Sequence, residues 1–239
     1  MGALLEGRVV IVTGGSRGIG AAIAEAVCRE GGRVAIAARH AAGLEETATR
    51  LESQGGQVLP VTADVTCEDD VVRLFDTVES AWGPVRALVN NAGNAPVGTT
   101  ADFSLADFER CLSVNLTGAF LCSREAFRRM PAHGGGEIVN ISSGASKHGH
   151  AGWAAYCAAK AGLNGMARAL AVEGAVLGIR VNTVCPGGTR TSLRRSIFGE
   201  EPPEALLDPM DVADAVLFFL SDAAREVRAA ELDVRKPKR

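Results

Sequence analysis

Short apolar, β-branched runs alternate with longer amphipathic stretches along this 239-residue chain, and that alternation admits few folds. Arg8-Val-Val-Ile-Val-Thr13 is the first such run, and residues 33–38, 57–61, 87–90, 137–141 and 179–184 repeat the pattern. Each is too short for a buried helix and apolar enough to be covered on both faces, so each is predicted to be a strand. Residues 230–234 make a final edge strand. Helical patterns fill the gaps: from the glycines near 20 to about Glu30, then over 41–54, up to Trp82, over 105–130, 152–176 and 209–221. Gly31-Gly32 ends the first and Pro131 stops the fourth. Strands and helices in this rhythm form βαβ units. The fold class is therefore α/β, a three-layer, doubly wound parallel sheet of about six or seven strands with helices on both faces. No repeat, low-complexity tract or linker interrupts it, so residues 1–239 are expected to form a single domain.

With 47% hydrophobic residues the chain can bury a sizeable core. A net charge of −3 leaves no basic field for nucleic acid or an anionic membrane. The basic tail Arg235–Arg239 reads as solvated. No apolar run approaches the length of a membrane span. Met1-Gly2-Ala3 leads within a few residues into the first strand, leaving no room for a signal peptide. Six scattered cysteines without a Cys-x-x-Cys pair, and no clustered histidines, read as reduced thiols in a cytoplasmic protein without a metal site. Cys157 is expected to be a small packing residue, and His40 and His133 surface residues.

Parallel sheets of this kind bind ligands outside the carboxyl ends of their strands, and every glycine-rich or polar motif here falls at such an end. Thr13-Gly-Gly-Ser-Arg-Gly-Ile-Gly20 joins the first strand to the first helix, with Gly14, Gly18 and Gly20 spaced Gly-x-x-x-Gly-x-Gly. Its backbone N–H groups and the helix's positive end suit a pyrophosphate. Nineteen residues on, the second strand ends in Ala38-Arg39, where an acid would hold the ribose hydroxyls of NAD. Arg39, with Arg17 from the glycine turn, suits a 2′-phosphate instead, so NADP(H) is expected over NAD(H). Tyr156, the single tyrosine, precedes Lys160 by one helical turn. An adjacent ammonium favours phenolate and lowers the phenol's pKa, making a general acid/base.

In order and close spacing, Thr13-Gly14-x-x-x-Gly18-x-Gly20, Asp64, Asn90-Asn91-Ala92-Gly93, Asn115, Ser143, Tyr156-x-x-x-Lys160 and Pro186-Gly187 resemble the short-chain dehydrogenase/reductase family. The likeness spans roughly residues 5 to 222, in the compact, Rossmann-like single-domain branch similar to 3-oxoacyl-acyl-carrier-protein reductases. The resemblance implies Tyr156 as catalytic acid/base, Ser143 as the residue orienting the carbonyl, and Lys160 as the one that binds the nicotinamide ribose and lowers the tyrosine pKa. Asn115 would hold a water in the proton relay. Ser16, Arg17 and Ile19 fall in the phosphate turn, Asp64 and Val65 near the adenine, and Asn91, Ala92 and Gly93 on the adenosine ribose side. Pro186, Gly187, Thr189 and Thr191 would touch the nicotinamide carboxamide. It further implies a small-molecule carbonyl or alcohol substrate and a homodimer or homotetramer built on the two long helices.

Two stretches depart from the pattern. The substrate-covering segment between Thr191 and Pro209 is short; Arg194 and Arg195 in it could meet an anionic substrate but are read as part of a solvated loop. The C-terminus lacks the usual acid before paired glycines. His148, His150 and Trp153 are expected near the substrate entrance. The alternatives kept open are an epimerase or dehydratase of the extended branch, and a non-catalytic NADP(H)-binding sensor or scaffold.

Overall fold

In the computed structural model, which describes residues 3–237, the apolar runs join into one seven-stranded sheet. Its strands are β1 (Val9–Thr13), β2 (Arg33–Ala38), β3 (Gln57–Thr62), β4 (Ala87–Asn90), β5 (Gly136–Ile141), β6 (Ile179–Pro186) and β7 (Glu231–Val234). They lie in the order β3-β2-β1-β4-β5-β6-β7, every neighbouring pair parallel. The order reverses between β1 and β4, which opens a crevice at their carboxyl ends. Met1, Gly2, Lys238 and Arg239, which carry part of the leader and tail readings, lie outside the described residues.

The helices are α1 (Gly18–Arg29), α2 (Ala41–Glu52), α3 (Glu68–Trp82), α4 (Leu105–Leu112), α5 (Gly118–Arg129), α6 (Ala154–Ala175), α7 (Ser192–Phe198) and α8 (Pro209–Leu220). The two-residue period of β1 shows why the sheet needs both layers. Val10 and Val12 pack with Ile23 of α1, Leu44 of α2 and Phe219 of α8, whereas Val9 and Ile11 pack with Phe75 of α3, Leu121 of α5 and Ala167 of α6. Each such fully buried side chain contributes about 1.5–3 kcal/mol.

Three local outcomes differ from the sequence reading. The helix expected without a break over 105–130 is two helices, α4 and α5, joined by a wider π-helical turn at Ser113–Thr117. Asn115 lies in that turn, 1% exposed, and its amide donates to the Cys111 carbonyl at 2.9 Å. A side chain bonding the backbone in this way competes with the regular ladder, and such turns favour functional positions. Helix α6 begins at Ala154 rather than near Gly152, because Gly152 holds φ = 78° and cannot join a right-handed helix. The segment after Thr191, read as a solvated loop, forms α7, capped by Thr191 Oγ1 accepting from the Arg194 N–H at 3.2 Å.

Candidate active site

A cleft of about 1050 Å³ lies at the switch point, and every cofactor and catalytic residue singled out in the sequence lines it. The glycine turn forms one end. Gly14 and Gly18 hold positive φ (67° and 56°), and a Cβ on Gly14 would stand 2.9 Å from the Ala92 Cα, while one on Gly20 would overlap the Gly14 carbonyl oxygen. The turn is tied to the end of β4 from both sides. The Asn91 amide donates to the Thr13 and Gly14 carbonyls at 2.9 and 3.1 Å, and Thr13 Oγ1 accepts from the Asn91 and Ala92 N–H groups at 3.0 and 3.1 Å. Asn91 therefore spends its amide protons on holding the turn, although it lines the cleft as expected. Helix α1 starts without a capping side chain, so its first N–H groups remain for an anion.

Arg17 in the glycine turn and Arg39 at the end of β2 both line the cleft, and among the described residues neither guanidinium has an ion pair or a hydrogen bond. His40, read as a surface residue, is exposed but lines the cleft as well, beside Glu46. Asp64 is fixed by accepting from the Thr66 N–H and hydroxyl at 2.9 and 2.7 Å. Backbone cradles that a Cβ would fill and an uncapped helix end fit a dinucleotide.

The catalytic candidates converge deeper in the cleft. Tyr156 and Lys160 share one face of α6, and Lys160 Nζ lies 5.7 Å from the Tyr156 ring centroid. The expected effect of one on the other is not what the structure gives. Burial pushes the Tyr156 phenol up to about 12, with the neighbouring Ser143 side chain opposing the rise. Lys160 is 4% exposed and donates from Nζ to the Ile141 carbonyl at 2.9 Å instead of to the phenol. Burial of its ammonium pulls Lys160 down to about 8. Desolvation is the largest influence on both groups. Asn115 donates to the Asn94 carbonyl and side-chain oxygen, both at 2.8 Å. Its own Oδ1 is buried without a protein partner, and a Cβ on Gly93 would lie 2.7 Å from that oxygen and 3.7 Å from Lys160 Nζ.

The lysine shift carries a stability consequence. Between pH 8 and 10.5 the unfolded chain keeps a proton on Lys160 that the native state has released, so stability rises with pH there. Tyr156 acts oppositely, from pH 10 to 12, since the unfolded phenol ionises first. Unfolding free energies from urea titrations between pH 7.5 and 9.5 are expected to climb in the wild type relative to Lys160→Met, by up to about 1.4 kcal/mol per pH unit. Parallel curves for the two proteins would contradict the shift.

At the far end, Trp153 meets Tyr156 edge-on at 5.2 Å and packs near His150 and Phe198, at 5.6 and 5.7 Å between centroids. His148, His150 and Trp153 do line the cleft. Arg194, read as solvated, is half-buried: it pairs with Glu201 at 2.6 Å and lies over the Phe198 ring at 4.5 Å. Arg195 stays at the surface beside Glu200. Cys157 is half-buried, its thiol directed to the His148 carbonyl at 3.8 Å. Sequence reasoning passed over Asn94, Glu46 and Arg235 as site residues. Asn94 was visible one residue beyond the Asn-Asn-Ala-Gly run, whereas no local pattern marked the other two.

Among the described residues no group of His, Cys, Asp or Glu could hold a metal ion, and no helix is long and apolar enough to cross a membrane. The short chain dehydrogenase family model matches residues 8–202. The chain belongs to the short-chain dehydrogenase/reductase family. A cis-4-hydroxycyclohexanecarboxylate dehydrogenase of Sinomonas cyclohexanicum is 39% identical, with 98% of this chain and 97% of the relative covered. An acetoacetyl-CoA reductase of Allochromatium vinosum is 35% identical over 95% and 96% of the two chains. Actinorhodin polyketide ketoreductase, solved with NADPH, superposes with a TM-score of 0.90 at 33% identity, covering 95% of each chain. This short-chain dehydrogenase/reductase is thus an oxidoreductase of alcohol or carbonyl substrates with a nicotinamide-binding fold.

Proposed function

We propose that the protein interconverts a carbonyl and a secondary alcohol with NADP(H), using Tyr156, Ser143, Lys160 and Asn115. The observation that carries this reading is the convergence of Ser143, Tyr156, Lys160 and Asn115 on one cleft with the glycine turn. When bound, the nicotinamide supplies the hydride chemistry. The chain's part is placement, electrostatics and the proton. Both hydroxyls donate to a carbonyl oxygen on which negative charge grows. With a pKa of about 12, Tyr156 is protonated at neutral pH, the form that reduction requires of an acid. Lys160, with a pKa near 8, exchanges protons readily close to neutrality and is suited both to hold the ribose hydroxyls and to resupply the phenol. The unpartnered Asn115 Oδ1 is placed to hold a relay water.

Arg17 and Arg39 support NADP(H) over NAD(H), as does the relative solved with NADPH. Six free cysteines suit a cytoplasmic setting. Exposed Phe120 on α5 and Val172 on α6 support self-association through those helices into a homodimer or homotetramer. Incubation with NADPH and a panel of ketones, aldehydes and 3-oxo thioesters is expected to consume NADPH absorbance with at least one of them. NADPH binding without turnover on any would favour a sensor or scaffold.

A further inference from the structure

The charges lining the cleft are unevenly distributed. Its acids, Glu46 and Asp64, both lie toward the nucleotide end, while Arg194 and Arg235 line the other end with His148, Trp153 and Phe198. The two arginines flank Gly187-Gly188. A Cβ on Gly188 would stand 2.8 Å from Arg194 Cζ, and one on Gly187 would stand 3.5 Å from Arg235 Cγ. Strand β7 delivers Arg235, since the Gly187 N–H donates to the Val234 carbonyl at 2.8 Å and Arg235 is the next residue.

The two are not equivalent. Arg194 spends Nε and Nη2 on the Glu201 carboxylate at 2.6 and 2.8 Å. Among the described residues Arg235 pairs with one acid, Asp233 at 3.1 Å, shared with Lys147, which reaches the same carboxylate at 3.0 Å. Among the same residues its Nη1 meets His148 Nε2 alone, at 3.3 Å. A guanidinium has no acceptor, so the imidazole nitrogen accepts there. That neutral contact is weaker than a charge-assisted bond to a carboxylate.

We propose that Arg235 and His148 form an anion subsite that selects substrates carrying a carboxylate, with the apolar body of the substrate against Trp153 and Phe198. The proposal rests on the oxidoreductase reading for the other end of the substrate, the carbinol or carbonyl at Tyr156. An incoming carboxylate accepts the hydrogen bond from Arg235 Nη1–H in place of His148 Nε2 and is held at the end of the cleft opposite the glycine turn. Arg235 is a specificity-determining residue, outside the proton relay.

The test uses the NADP⁺-saturated protein and two probes, cyclohexanecarboxylate and its methyl ester, titrated by calorimetry into the wild type, Arg235→Ala and Arg235→Lys. In parallel, kcat/KM is measured with NADPH for 4-oxocyclohexanecarboxylate and its methyl ester. The wild type is expected to bind the acid about tenfold or more tighter than the ester, consistent with a charge-assisted pair. Arg235→Ala should reduce that ratio to about twofold or less, Arg235→Lys should restore part of it, and the kcat/KM ratio should follow through KM, with NADP⁺ affinity held within about twofold. Equal binding of acid and ester by the wild type, or an acid preference that survives Arg235→Ala, overturns the subsite. A parallel loss of NADP⁺ affinity also overturns it, by assigning Arg235 to the cofactor. Ketone turnover without an acid preference leaves the oxidoreductase reading standing and removes the subsite. Arg235-dependent acid binding without any NADPH consumption does the reverse.

Discussion

Replacing Tyr156 by Phe is expected to lower kcat by about 10²–10⁴-fold, the range for removing a positioned general acid/base. The substitution deletes only the hydroxyl. The ring keeps its edge-on contact with Trp153, and Lys160 keeps its bond to the Ile141 carbonyl, so fold and NADPH binding are expected to persist. Some activity should remain, because Ser143 still offers one donor to the developing oxyanion. The deficit belongs in kcat rather than KM, since the missing bond matters most when charge has formed. Single-turnover reduction followed alongside NADPH titration separates the two quantities. Near wild-type turnover would exclude Tyr156 as the proton donor.

Arg39→Asp is expected to move the NADPH/NADH ratio of kcat/KM by about 10²–10³-fold toward NADH. A charge-assisted hydrogen bond to phosphate is worth about 1.5–3 kcal/mol, and the new carboxylate adds repulsion against a 2′-phosphate. The same carboxylate can accept from the ribose hydroxyls of NADH. Arg17, which lines the cleft at the same end, limits the reversal because one cation remains. An unchanged ratio would remove Arg39 from cofactor selection and return it to the solvated surface.

Much of the architecture was legible locally. The runs at 9–13, 33–38 and 179–184 fall in strands because covered parallel strands are predominantly apolar and β-branched, and that property shows in a short window. The cleft was legible for a related reason: in a parallel sheet every strand ends at the same edge, so motifs at strand ends must gather. Other features had no local signal. The wide turn at Asn115 depends on Cys111 and Asn94 accepting its amide protons, and the helix pattern reads through it unbroken. Helix α7 depends on Thr191 as its cap and on Arg194 finding Glu201 and Phe198. The Tyr-x-x-x-Lys spacing placed phenol and ammonium on one face, but a spacing carries no information about burial. It therefore could not show the burial that raises the Tyr156 pKa.

By itself the sequence determined the layered sheet, the position of the cleft and the residues that meet there, because periodicity and glycine placement act over a few residues. Only the tertiary structure decided that Asn91 braces the glycine turn, that Lys160 is drawn down to about 8, and that Arg235 meets His148 from 87 residues away. Those outcomes depend on which atoms are desolvated and which distant groups meet, and both are set when β6, β7 and α6 pack.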